Sequence, residues 1–139
     1  MNLRLFYIAL VLLPLVGFAE IPDAQIPSSI DKYFARNRLG PQLISARVVN
    51  NHQSGRTLKL NIIARRSKSG KDLGFAFAAA AAVANLAQKP FDLIWVEMDI
   101  NFKDLETTMA IAPANCTIDA IIMGNCEYEK WWNDCLQFP

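Results

Sequence analysis

The stretch Phe91-Asp92-Leu93-Ile94-Trp95-Val96-Glu97-Met98-Asp99-Ile100-Asn101-Phe102 alternates apolar and polar side chains without a break from Ile94 onward. Ile94, Val96, Met98, Ile100 and Phe102 fall on one side, and Trp95, Glu97, Asp99 and Asn101 on the other. A period of two is the mark of a strand with one covered and one open face. The sheet that contains this strand, and whatever covers its apolar side, set the architecture.

The cover lies just upstream. Ser69-Gly70-Lys71-Asp72 has capping-box spacing, with Ser69 placed to accept a first-turn amide and Asp72 to reach back. A helix is expected from there through Ala84, ended by Lys89-Pro90. It is apolar nearly all round from Leu73 to Ala84, which marks a buried core helix too short to span a membrane. Its run Ala78 to Ala82 allows close packing on a sheet.

Further out, Leu43 to Asn50 and Thr57 to Arg65 alternate in the same way, joined by Asn50-Asn51-His52-Gln53-Ser54-Gly55. Asn and Gly tolerate positive φ, so the pair reads as a hairpin. Lys103-Asp104-Leu105-Glu106 turns the chain after the decisive strand, Thr107 to Ala112 returns as a fourth, and Pro113 ends it. Ser28 or Ser29 caps a short helix to Arg38 that carries Ile30, Tyr33 and Phe34, and Gly40-Pro41 stops it. From Thr117 the tail reads as two helical pieces broken at Gly124-Asn125. The expected class is therefore α+β in two layers: a four-stranded, mainly antiparallel sheet with one Ala-rich helix across it, a short N-terminal helix and a helical C-terminal tail.

Residues 1–19 read as a signal peptide. Arg4 is the one charge before Glu20, Leu5 to Val16 is almost wholly apolar, and Gly17-Phe18-Ala19 offers a small-x-small cleavage site after Ala19. A spanning helix wants about 20 apolar residues, so no transmembrane span is expected after cleavage. Residues 20–27, with two prolines, read as a leader or linker, and 28–139 as a single α+β domain. The compartment is then periplasmic or secreted.

The near-neutral net charge of +1 conceals two opposite blocks. Glu20 to Lys89 holds 11 Lys and Arg against 4 acids, and Pro90 to Pro139 holds 2 against 9. Lys59 and Arg65 on the polar face of the second strand can lie beside Glu97 and Asp99 on the third, so the blocks neutralise each other within the fold. Nucleic acid is not an expected partner on this reading.

Three clusters carry candidate chemistry. Arg65, Arg66, Lys68 and Lys71 form a basic loop leading into a helix N-terminus, where amides and the dipole favour anions. It is not a P-loop, since the glycine and hydroxyl positions of that motif hold Arg65 and Asp72. Glu97 and Asp99 share a strand face with Trp95, an arrangement that glycoside hydrolysis can use if one acid is held protonated. Tyr128, Trp131 and Trp132 at helical spacing give the tail an aromatic face, for core docking or for a partner.

His52 lies in a turn with no nucleophile elbow near it in sequence. Cys116, Cys126 and Cys135 lack the C-x2-C pairs of structural zinc, and no metal or cofactor is expected. In an oxidising compartment, a tail folded back at Gly124-Asn125 joins Cys116 to Cys135 and leaves Cys126 free or able to link a dimer. Asn115-Cys116-Thr117 fits the glycosylation acceptor pattern.

These motifs are too generic to point to a family. The expected function is a non-enzymatic exported domain that binds another envelope or extracellular protein through the polar sheet face or the aromatic tail. The alternatives are a small hydrolase using Glu97 or Asp99 beside Trp95, and an anion or polysaccharide binder using the basic loop from Arg65 to Lys71.

Overall fold

A computed structural model describes residues 20–101 and 105–139 of the chain. The expected signal peptide, Phe102 at the end of the expected strand, and Lys103 and Asp104 of the expected turn lie outside the described residues. The elements run α1 (Ile26–Arg36), β1 (Gln42–Asn51), β2 (Gly55–Ala64), α2 (Ser69–Leu86), β3 (Leu93–Asn101), β4 (Leu105–Pro113), α3 (Ala114–Thr117) and α4 (Tyr128–Asp134). A π-helical turn, Ile118–Ile122, extends α3.

The class is α+β and the sheet order is β1-β2-β3-β4. The sheet is mixed rather than mainly antiparallel, which corrects the sequence expectation. β1 pairs with β2 and β3 with β4 in antiparallel hairpins, but the central pair, β2 and β3, is parallel. The cause is α2. Its 18 residues span about 27 Å, enough to carry the chain back along the sheet to the end where β2 began. Such a return is what a parallel crossover requires.

The first hairpin closes at Gly55, whose φ is +74°. A side chain there would also collide with the Asp92 carboxylate, which accepts the Arg56 amide at 2.8 Å. Glycine is thus demanded twice over, by the backbone and by the approach of the segment leading into β3.

One apolar cluster fills the space between the sheet and the helices. Leu58, Leu60, Ile62, Ile94, Val96, Met98, Ala110 and Ala112 line its sheet side. Leu73, Phe77, Ala80, Ala81 and Val83 line it from α2, and Ile26, Ile30 and Phe34 from α1. The Ala run lets α2 sit close to the strands, as its all-round apolar character predicts. One Ala-rich helix is not the whole cover, since α1, α3 and α4 also pack on that side.

Two cap assignments differ from expectation. α1 begins at Ile26, and Ser28 and Ser29 donate back to the Gln25 carbonyl at 3.0 and 2.8 Å instead of capping. Residue Ile21 exchanges backbone hydrogen bonds with Leu86 and Gln88 at 2.8 Å each. The N-cap of α2 is Lys68, with no side-chain cap, so the Ser69–Asp72 capping box does not form. Asp72 turns instead to Arg65, accepting its amide at 2.9 Å and its guanidinium at 2.6 and 3.2 Å. A buried carboxylate near a helix start gains more from a bidentate guanidinium than from one amide.

The tail folds back as expected. Gly124 takes φ +70° between the two helical pieces, and a disulfide joins Cys116 to Cys135 with Cα atoms 6.4 Å apart. Cys126 is the cysteine left free, and it is half-buried. Gln137 then exchanges two backbone hydrogen bonds with Ile111 on β4, at 2.9 and 2.8 Å. No helix among the described residues is long and apolar enough to cross a membrane.

Candidate functional site

The sheet has a second face, opposite the core, and no helix of the described residues lies across it. Strand register assembles it in rows. Arg47, Lys59, Trp95 and Ile111 stand side by side across the four strands, and Ser45, Asn61, Glu97 and Met109 form the next row. Val49, Thr57 and Leu93 lie on one side of these rows, and Ile63, Asp99 and Thr107 on the other.

Lys59 organises the centre. Its ammonium lies 3.2 Å from Glu97 Oε1 and 5.0 Å from the centre of the Trp95 ring. The carboxylate compensates the cation, and the ring face is occupied by it. The expected pairing of Lys59 with Glu97 therefore forms on the diagonal, two residues off direct register. Arg65 makes no such pair, because it is held by Asp72, which is 1% exposed.

These contacts bear on acid catalysis. Glycoside chemistry wants one carboxyl kept protonated by apolar surroundings. Glu97 has a lysine against it and Asp99 accepts a hydrogen bond from Thr107 at 3.0 Å. Each carboxylate is thus engaged by a polar partner, the arrangement of a paired surface.

The basic loop is divided by the fold. Arg66 and Lys68 lie in the 3-10 turn Arg66–Lys68, and Lys71 in the first turn of α2, all three exposed. Arg65, Lys68, Lys71 and Asp72 line a cleft of about 270 Å³ with Gly40, Pro41 and Phe75. The Asp72 carboxylate, at the start of α2, stands in that cleft, where a bound anion would meet it. Its guanidinium partner is held in the charged state, since the hydrogen bond to Asp72 pushes the Arg65 pKa up.

The aromatic tail separates into an anchor and a rim. Trp131 is fully buried, 5.3 Å from Phe77 in an edge-on contact, and its indole donates to Thr117 Oγ1 at 3.1 Å. Trp132 is half-buried against Tyr128 and Phe138. Tyr128 sits over Gly74 so closely that a side chain at Gly74 would strike its hydroxyl. Burial pushes the Tyr128 phenol pKa up from 10.0. Gly74, Phe75, Ala78, Ile121, Tyr128 and Trp132 line an apolar groove of about 600 Å³.

Arg47, Thr57 and Asn61 fall on the polar strand faces in the sequence but are not singled out there as site residues. Thr57 is 3% exposed, and its hydroxyl, the Asn61 carbonyl oxygen and the Trp95 indole nitrogen are buried without hydrogen-bond partners among the described residues. Strand parity placed Arg47 and Thr57 opposite the apolar positions, but only the register brings them beside Trp95. Among the described residues no group of His, Cys, Asp and Glu is placed to hold a metal ion.

The chain matches no family model, no curated protein and no solved structure. The geometry of the open face and of the tail is therefore what bears on function.

Proposed function

We propose that the protein is a non-enzymatic exported binding domain whose partner is another envelope or extracellular protein, held on the open face of the sheet. The observation that supports this most is the composition of that face. Half-buried Ile63, Trp95, Met109 and Ile111 surround the Lys59–Glu97 pair, and none of them belongs to the core that the helices cover. Apolar surface with a few fixed charges and an aromatic residue is how protein interfaces are built.

The charges favour a different protein over a second copy. Lys59 and Glu97 compensate each other, whereas Arg47 has no carboxylate partner among the described residues. An acidic group on the partner would supply it. Export rests on the signal-like segment ending at Ala19, and the protein's compartment is periplasmic or secreted on that reading.

Site-specific photocrosslinking in the native envelope or medium tests the surface. A photoreactive residue at Met109 should yield an adduct with one distinct protein, and the same residue at Lys32, on the outer side of α1, should not. An adduct at twice the chain's own mass would replace the partner with a second copy. No adduct at Met109, or equal adducts at both positions, overturns the proposal. N-terminal sequencing of exported protein should begin at Glu20.

A further inference from the structure

We propose that the open face carries a carboxylate-binding cleft at its hairpin end, with Arg47 as the anchor and the Trp95 indole and Thr57 hydroxyl as neutral donors. The cleft encloses about 330 Å³, and Arg47, Asn51, Ser54, Thr57, Lys59 and Trp95 are among its lining residues. This inference deepens the reading of the open face as a binding surface and rests on it for the source of the carboxylate.

Three features converge on an anion. The lining is rich in donors: a guanidinium, an ammonium, an indole N–H and two hydroxyls. Asn51 contributes little as an acceptor, because its side-chain oxygen already takes the Gln53 amide at 2.9 Å. Thr57 Oγ1 and Trp95 Nε1 are buried without partners among the described residues, and a buried donor without an acceptor is a costly arrangement that an incoming oxygen relieves.

The charge count selects the kind of anion. Glu97 compensates Lys59, so Arg47 leaves the cleft with about one unmatched positive charge. A carboxylate carries one negative charge, whereas a phosphate group carries about 1.5 to 2 at neutral pH. The planar guanidinium also matches a carboxylate in bidentate fashion. Because Lys59 covers the Trp95 ring, the indole contributes its N–H rather than a stacking surface. That makes the site unlike a platform for a neutral sugar.

Two sources could present a carboxylate here: an acidic side chain of a bound protein, or a free small carboxylate. Titration of the isotopically labelled domain with sodium acetate, against sodium chloride at equal ionic strength, tests the chemistry. The indole N–H resonance of Trp95 should shift saturably while those of Trp131 and Trp132 stay still. Arg47→Gln should weaken acetate binding by about tenfold or more, and Trp95→Phe, which keeps a ring under Lys59 but removes the donor, should weaken it severalfold. Lys32→Gln, on the exposed side of α1, should leave it unchanged. A shift that chloride reproduces, that phosphate produces at lower concentration, or that survives Arg47→Gln overturns the proposal.

The arms separate the sources and the two proposals. If the Met109 adduct forms and its yield falls in Arg47→Gln, the carboxylate belongs to the protein partner. If acetate binds through Arg47 but no adduct forms, the cleft stands as a site for a free carboxylate and the protein-binding reading fails. If the adduct forms and acetate does not bind, the cleft is overturned while the binding surface survives.

Discussion

The Trp131 indole donates to the Thr117 hydroxyl at 3.1 Å inside the core, and that hydroxyl in turn donates to the Pro113 carbonyl at 2.9 Å. Both side chains are fully buried. This chain of bonds ties α4 through α3 to the end of β4, so the aromatic anchor is located by a hydroxyl as much as by packing. Thr117→Val keeps the shape and removes both bonds, leaving a buried indole N–H without an acceptor. A loss of about 2 kcal/mol is expected, read as a lower urea midpoint, and Thr117→Ser should restore most of it.

The disulfide closes the same region covalently. Cys116 and Cys135 are 19 residues apart, and a bridge over a loop of that size contributes about 3 kcal/mol in the chain-entropy description. Cys135→Ser should therefore destabilise strongly under oxidising conditions and match the wild type once a reductant is present. Cys126→Ser should do little in either condition. Non-reducing peptide mapping should join Cys116 to Cys135.

On the open face, Lys59 holds Glu97 at 3.2 Å from a neighbouring strand. Such cross-strand pairs contribute about 0.2–1 kcal/mol. Glu97→Lys replaces the attraction with a repulsion across the central parallel pair and should lower the thermal midpoint. The double variant Lys59→Glu with Glu97→Lys should recover most of the loss. An unchanged midpoint in the single variant would show that the pair does not support the fold.

At the start of β2, the Arg56 guanidinium grips both oxygens of Asp23 and lies 4.3 Å from the centre of the Phe91 ring. The hydrogen bonds from Arg56 hold the Asp23 pKa below its ordinary value of 3.8. A carboxylate with a depressed folded pKa contributes stability above its unfolded pKa and loses it as pH falls through the folded value. Asp23→Asn should thus be less stable than the wild type at pH 7, with the difference closing as pH drops below about 3.8. Denaturant midpoints across that range give the check.

Much of this architecture was legible from local pattern. Alternation in Ile94 to Ile100 and in Leu58 to Ala64 identified the buried face of each strand, because side-chain direction in a strand depends only on position parity. Apolar residues all round α2 gave its burial, and Gly124 gave the break that lets the tail return. The cap assignments fared worse. Ser69 and Asp72 had the spacing of a capping box, yet Asp72 serves Arg65, a partner delivered by the end of β2 rather than by the helix itself.

What the sequence by itself determined is the set of elements, the faces they bury, and the pairing of Cys116 with Cys135, since each follows from residues close in the chain or from simple geometry. What only the tertiary structure decided is which strands are neighbours and in which direction they run. The crossover through α2 makes β2 and β3 parallel, and the register then sets Lys59 beside Trp95 and Arg47 beside Lys59. The cleft of Arg47, Thr57 and Trp95 exists only as a product of that register. Its three members come from three strands, and the burial of the opposite, apolar face, which fixes the register, placed them together.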